Sequence, residues 1–375
     1  MDKSLENVRK IAAEADHWQN FADFCQLEMA IGGPDPHMKL TAQMCDLDGC
    51  SWDERAWRGL CYLGVYNVPT AEQIWKVWPV KRAILEREKF LPWFTEHWSG
   101  ITMRRERKSA RSPIKMSKYF ESAAVWIEKI ISQKDAGKGW ISAWGEHTSE
   151  SDRYELAWED VQSSIYSMGR YIAFKYLEYG IQYLAFPIEL KDIRAKGGWS
   201  PRTCLAILWP DQAETLLGGD SPAEIAIVDE YADKTKGRVL SDYGINLSYY
   251  NLQVLLCDYK QCYVGKRQFP GRSQDSEIVY RKKIESYWGD ETGMWIARAK
   301  AFPPEVLGEL NGWDSVREEL GKVLYNYGYM WSDLIYDYNR SKNCLLTPVK
   351  HGEVLPSTSS KAKAWEQSFG RFLNK

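Results

Sequence analysis

Residues 221–237 read SPAEIAIVDEYADKTKG, and that punctuation leaves the chain little local choice. Ser221 can accept a hydrogen bond from a backbone N–H of the first helical turn. Pro222 fits that turn because its missing N–H has no partner to lose, Glu224 completes a capping box, and Gly237 is the expected stop. The same kind of start recurs in PTAEQIWKVW, with Thr70 as the cap and Gln73 three residues on. LSYYNLQVLLCDYKQCY repeats apolar groups at Leu252, Leu255, Leu256, Tyr259 and Tyr263. Period-two runs are scarce, and only AFPIEL and CLLTPVKHGEVL suggest a short hairpin or edge strands. The fold class that follows is mostly α, a helical, bundle-like, two-lobed chain with few short strands. Its 375 residues exceed what one core usually holds.

Charge narrows the function. The 49 Lys and Arg nearly cancel the 51 Asp and Glu, which excludes a protein that binds nucleic acid by bulk charge, so any such surface must be local. The strongly basic stretch is SGITMRRERKSARSPIKMSK, where Arg104, Arg105, Arg107, Lys108, Arg111, Lys115 and Lys118 face one acid, Glu106. It divides the chain into an N-terminal helical lobe at 1–103, a basic linker or DNA-contact loop at 104–116, and a main helical lobe at 117–375 that ends in a further helix. Arg104, Arg107 and Lys108 are the expected solvated contacts to a DNA backbone. The 18 Trp, 22 Tyr and 11 Phe are unusual, and they must stack or pack on something. Eight Cys without a CxxC pair, beside five His, argue against structural zinc and for buried free thiols in a reducing compartment. The first residues carry no apolar leader-like run and no stretch approaches the roughly 18 apolar residues of a membrane span, so a cytoplasmic location is expected.

No P-loop, GxGxxG, GxSxG, HExxH or deaminase zinc motif occurs, so no cofactor or metal is expected. What remains is arginine interleaved with aromatic residues. In SSIYSMGRYIAFKYLEYG, Gly169 and Arg170 open a helix that carries Lys175 and Glu178 and stops at Gly180. A helix N-terminus with an arginine suits a phosphate, although an ordinary Arg–Glu surface pairing explains the same residues. In DIRAKGGWSPRTCLAILWP, Arg194, Trp199, Ser200 and Arg202 surround a Gly-Gly turn, with Ser200 as the cap of the next helix. Guanidinium and indole together suit a phosphorylated nucleotide. In LLCDYKQCYVGKRQFPGRSQDSE, Asp258 beside aromatic rings is a candidate base. Cys257 is a candidate nucleophile for a pyrimidine C6, or simply a core cysteine, and Lys266, Arg267 and Arg272 form a cationic loop. In CSWDERAWRGLCYLGVYN, Asp53 and Glu54 suit a helix start, whereas Arg55 and Arg58 need another explanation.

Taken together, DERAWRGLCYLGVYNVPTAEQIW, SMGRYIAFKYLE, DIRAKGGWSPR and LLCDYKQCYVGKRQFPGRSQDSE resemble the amino acid:DNA transferases of bacteriophages, the α-glutamyl/putrescinyl-thymine pyrophosphorylase family of thymine hypermodification. The resemblance spans about residues 50 to 290 and implies a fold similar to the helical DNA glycosylases, with a flipped base. It implies a DNA substrate in which 5-hydroxymethyluracil has been phosphorylated by a separate kinase. The amine of an amino acid such as glycine then displaces phosphate or pyrophosphate from the 5-methylene carbon.

Within that reading Trp199 and Tyr259 serve the base, Arg170, Arg194, Ser200 and Arg202 the leaving group, and Glu178 or Asp258 deprotonation. Lys175 assists with either anion, Arg55 takes the amino-acid carboxylate, and Arg104, Arg107, Lys108 and Arg272 follow the DNA backbone. Direct displacement and addition of Cys257 to the ring both stay open. Two other classes compete: a glycosylase-like base-excision enzyme, which would leave abasic sites, and a non-catalytic DNA clamp, which would tolerate loss of Asp258 or Glu178.

Overall fold

A computed structural model describes residues 3–263 except 14–15, 31–32, 34, 105–106, 108–109, 134–143 and 146–147, together with residues 284, 286–289 and 297. Among the described residues the regular elements are helices and no strand forms. AFPIEL is irregular, while CLLTPVKHGEVL lies outside the described residues. The chain divides into two compact units that are discontinuous in sequence. Of the described residues, one takes those up to 36 and 191–263, the other 37–190 with 284, 286–289 and 297. The basic stretch at 104–116 lies inside the second unit.

The first unit contains α1 (Lys3–Ala12), α2 (His17–Ala30), α11 (Trp199–Leu208), α12 (Ala213–Leu216), α13 (Pro222–Tyr243) and α14 (Tyr249–Tyr263). Its core gathers Phe21, Phe24, Cys204, Leu205, Leu208, Val228, Ala232, Leu252, Leu255 and Tyr259. α11 supplies the middle of that core, packing against α1, α13 and α14. The capping box of α13 forms as expected, with the Ser221 hydroxyl accepting from the Glu224 N–H at 3.3 Å. Gly237 does not end the helix. Thr235 and Val239 on either side of it are buried, so the apolar face continues, and the left-handed Gly244 (φ 70°) provides the stop.

The second unit contains α3 (Pro36–Leu47, from His37 onward), α4 (Trp52–Val65), α5 (Val68–Val77), α6 (Val80–Leu85), α7 (Phe90–His97), α8 (Pro113–Gln133), α9 (Glu150–Ser164) and α10 (Arg170–Tyr183). Its centre is α4, buried without interruption from Ala56 to Val65 and covered by α5, α8 and α10. Two glycines admit this coverage: a Cβ on Gly59 would stand 2.5 Å from the Tyr179 ring, and one on Gly64 would stand 2.7 Å from Tyr119. Much of the described aromatic content packs here. Trp57, Trp78, Trp126 and Trp144 are fully buried, and the Trp57 indole donates to the Trp78 carbonyl at 2.6 Å.

Three further expected helix boundaries move. α5 is capped by Asn67, whose side chain accepts from Thr70 N–H at 3.0 Å, so Thr70 sits in the first turn and not at the cap. α11 begins at Trp199 with Gly198 before it, which leaves Ser200 in the first turn and not at the cap. α10 runs through Gly180, where the missing side chain makes room for Phe186; a Cβ would meet that ring at 2.0 Å.

Candidate active site

The residues singled out by sequence fall into both units. In the first, α11 opens with Trp199, an indole that is 54% exposed although it begins a core helix. The Arg202 guanidinium lies 5.1 Å from its ring centre and steadies it from below. Arg202, expected on a leaving phosphate, is itself fully buried. It donates to the Leu216 carbonyl at 2.8 Å, to the Gly218 and Gly219 carbonyls at 2.7 and 3.0 Å, and to Asp220 at 2.8 Å. The guanidinium therefore holds the loop that precedes α13. Asp220 also accepts from the Gly197 N–H at 3.2 Å, which fastens the Gly-Gly turn to the same loop. A geometric fork suited to phosphate suits a set of backbone carbonyls equally well, and sequence does not distinguish the two.

α14 reaches α11 through Cys257, whose thiol donates to the Ser200 hydroxyl at 3.2 Å. Asp258, the next residue, is half-buried. Tyr259, expected to stack on a base, is instead wholly buried: its hydroxyl bonds His17 Nδ1 at 2.7 Å and its ring meets Phe21 edge-on at 5.3 Å. The helical period explains the difference, since Tyr259 continues the Leu252, Leu255, Leu256 stripe that faces the core.

Arg194 has a left-handed backbone (φ 49°), and its N–H bonds the Asp192 carboxylate at 2.6 Å. Near them stands Asp229, a residue that the sequence reading passed over. Partial burial, with Asp192 and Asp233 adding like charge, pushes the Asp229 carboxyl up to about 7, while Arg194 pulls the other way. The i,i+4 spacing of Asp229 and Asp233 on α13 was a visible signal. The approach of Asp192 was not.

In the second unit Lys175 and Glu178 pair with each other at 2.8 Å, each 1% exposed, in the middle of α10. Burial of both makes this an interior ion pair, where a surface pairing with arginine was the bland expectation. Arg170 begins α10 behind Gly169. No side chain caps that end, and a Cβ on Gly169 would meet nothing within 4 Å, so the N-terminus is open to approach. Arg55 donates to the Asp46 carboxylate at 2.5 Å and to the Ala42 carbonyl at 3.4 Å, so an incoming carboxylate would compete with Asp46. Arg58 is the stronger anchor: it is 1% exposed, lies 4.0 Å from the Trp75 ring centre, and donates to Glu72 and Asp48.

The basic stretch divides by environment. Arg104 is half-buried, donating to His37 Nε2 at 2.7 Å and lying over the Tyr66 ring at 5.8 Å. Arg107, expected on the solvated side of a DNA backbone, is 1% exposed. It donates to the Gly64 and Ser167 carbonyls, each at 2.9 Å, and lies 4.7 Å from the Tyr119 ring centre. Among the described residues no carboxylate pairs with it, and burial pulls its pKa below the usual arginine value. Lys108, Lys266, Arg267 and Arg272 lie outside the described residues. No group of three or more His, Cys, Asp or Glu able to hold a metal ion occurs among the described residues, and no described helix is long and apolar enough to cross a membrane.

Comparison with known proteins gives one family. A family model described as amino acid:DNA transferase matches residues 59–267, whereas neither curated proteins nor solved structures return a match. The matched span is more than half of the 375 residues and takes in Lys175 and Glu178, the exposed Trp199, Asp229 and Asp258. The chain therefore belongs to the amino acid:DNA transferase family, and its activity is the transfer of an amino acid to DNA.

Proposed function

We propose that the acceptor is a phosphorylated 5-hydroxymethyluracil base in DNA and that the donor is glycine. The amine nitrogen attacks the 5-methylene carbon, the carbon–oxygen bond to the phosphate or pyrophosphate breaks, and the ammonium proton passes to a carboxylate. The base is phosphorylated beforehand by a separate kinase, so no nucleotide triphosphate is needed at this step. The observation that carries the base-directed part is Trp199, a half-exposed indole at the start of α11 inside the matched span. A flat ring held from one side and open on the other supports stacking of an extruded pyrimidine.

The residue roles follow the geometry of each unit. Asp258, next to the Ser200–Cys257 contact, is the proposed proton acceptor in the first unit, with Glu178 as the alternative in the second. Arg194 and the open, arginine-bearing start of α10 at Arg170 are the proposed seats for phosphate. Arg55 is the proposed partner of the amino-acid carboxylate, exchanging Asp46 for it. Arg104 is proposed to meet the DNA backbone.

The deciding experiment incubates the protein with DNA containing phosphorylated hydroxymethyluracil and, in separate reactions, glycine and several other amino acids, then reads nucleoside masses after digestion. The expected product is the glycine adduct with release of phosphate. Absence of an adduct with every amine on a verified phosphorylated substrate overturns the proposal, and abasic sites in place of an adduct would identify an excision enzyme.

A further inference from the structure

A pair of thiols in the second unit is arranged for chemistry that amino-acid transfer does not use. α3 ends at Leu47, and Asp48 and Gly49 reverse the chain, with Gly49 in the left-handed region at φ 61°. The Cys50 N–H then closes onto the Cys45 carbonyl at 2.9 Å, before Ser51 caps α4. A turn closed in this way draws the two residues together, as a disulfide, which spans roughly 4.4–6.8 Å between α-carbons, requires. The two thiols influence each other's acidity across it, each shifting the other in the opposite direction.

Their surroundings differ. Cys45 is fully buried, 3.9 Å from the Tyr179 hydroxyl, whereas Cys50 is partly exposed. The Arg58 guanidinium stands 3.5 Å from the Cys50 sulfur, and its orientation is locked by Asp48 at 2.7 Å, by Glu72 at 3.0 Å and by the Trp75 ring. The hydrogen bond from Cys45 and then the Arg58 charge bring the Cys50 thiol down to about 7, while that same bond and burial push Cys45 well up. One sulfur is thus poised to attack and its neighbour to follow. Cys25, Cys61 and Cys204 are buried, and Cys257 faces a serine hydroxyl at 3.2 Å.

We propose that Cys45 and Cys50 form a reactive dithiol that reduces a hydroperoxide and closes to a disulfide across the turn between α3 and α4. The Cys50 thiolate attacks the peroxide oxygen, the O–O bond breaks, and the departing oxygen leaves as water or an alcohol after taking a proton. Cys50 is then a sulfenic acid. The Cys45 sulfur displaces its hydroxyl group, the S–S bond forms, and the Cys45 proton leaves with that hydroxyl as water. Two thiols and one hydroperoxide give one disulfide, one alcohol or water, and one water; the thiol pair loses the two electrons that the peroxide gains.

The test uses the full reduced chain and hydrogen peroxide, read by intact mass and by peptide mapping after alkylation of the remaining thiols. The expected result is loss of two hydrogens, a Cys45–Cys50 link, and reversal by dithiothreitol. In Cys45→Ser, checked for folding by circular dichroism, Cys50 should accumulate as a sulfenic acid trapped by dimedone, about tenfold faster than Cys257. In Cys50→Ser, Cys45 should stay reduced. Oxidation of Cys257 ahead of Cys50, or peroxide-treated wild-type protein in which Cys45 and Cys50 both remain alkylatable, overturns the proposal. Neither readout depends on which base or amine the enzyme uses.

Discussion

Trp199 and Arg202 sit three residues apart on one helical turn and have opposite relations to water, so their substitution should separate function from stability. Trp199→Ala removes a half-exposed ring and leaves the core of the first unit intact, so melting should hardly change. Loss of base stacking should lower kcat/KM on modified DNA about tenfold or more, measured in single-turnover reactions. Arg202→Ala strips partners from three carbonyls and from Asp220, and should cost about 3 kcal/mol in urea unfolding, with Arg202→Lys a poor substitute because it lacks the fork. Asp229 sets a pH dependence. Its folded pKa, raised to about 7, means that the folded state holds a proton that the unfolded chain has already lost. That contribution is fully present below the unfolded carboxyl value and disappears as pH rises through about 7. Unfolding midpoints should therefore fall between about pH 4 and pH 7, and Asp229→Asn should shrink that fall. A midpoint difference unchanged in the variant would show that Asp229 titrates normally.

At the level of elements, capping logic was legible and termination was less so. The capping box of α13 formed where Ser221, Pro222 and Glu224 announced it, because those contacts are local. The stop at Gly237 did not, because the buried Thr235 and Val239 extend the packed face beyond it. This leaves an exposed glycine inside a helix, with open space where a Cβ would go. Gly237→Ala should therefore stabilise the chain by about 0.5–1 kcal/mol, seen as a raised urea midpoint with unchanged slope. Gly180 is the contrasting case: it also lies inside a helix, but the Phe186 ring occupies its missing side chain. Both glycines look alike as letters, and only the packing of neighbouring segments tells which one tolerates a methyl group.

At the scale of the whole molecule, near-neutral charge limits how the chain can hold DNA. With 49 basic against 51 acidic residues the net attraction to DNA is weak, and among the described residues Arg58, Arg107 and Arg202 are buried and do not add to it. The slope of log affinity against log salt, measured by fluorescence anisotropy on duplex DNA, should be shallower than about −4, the value for roughly four released counterions. A steeper slope would place much of the binding on the residues from 264 onward. By itself the sequence determined the helical class, the starts of α4 and α13, the apolar stripe of α14 and the family, since all of these rest on local pairing, periodicity and ordered motifs. Tertiary structure alone decided which arginines face water, that Tyr259 belongs to the core, that Lys175 and Glu178 are an interior pair, and that Asp192 crowds Asp229. Burial and electrostatic environment are set by segments distant in sequence, so residue type and spacing could nominate these side chains but could not assign their surroundings.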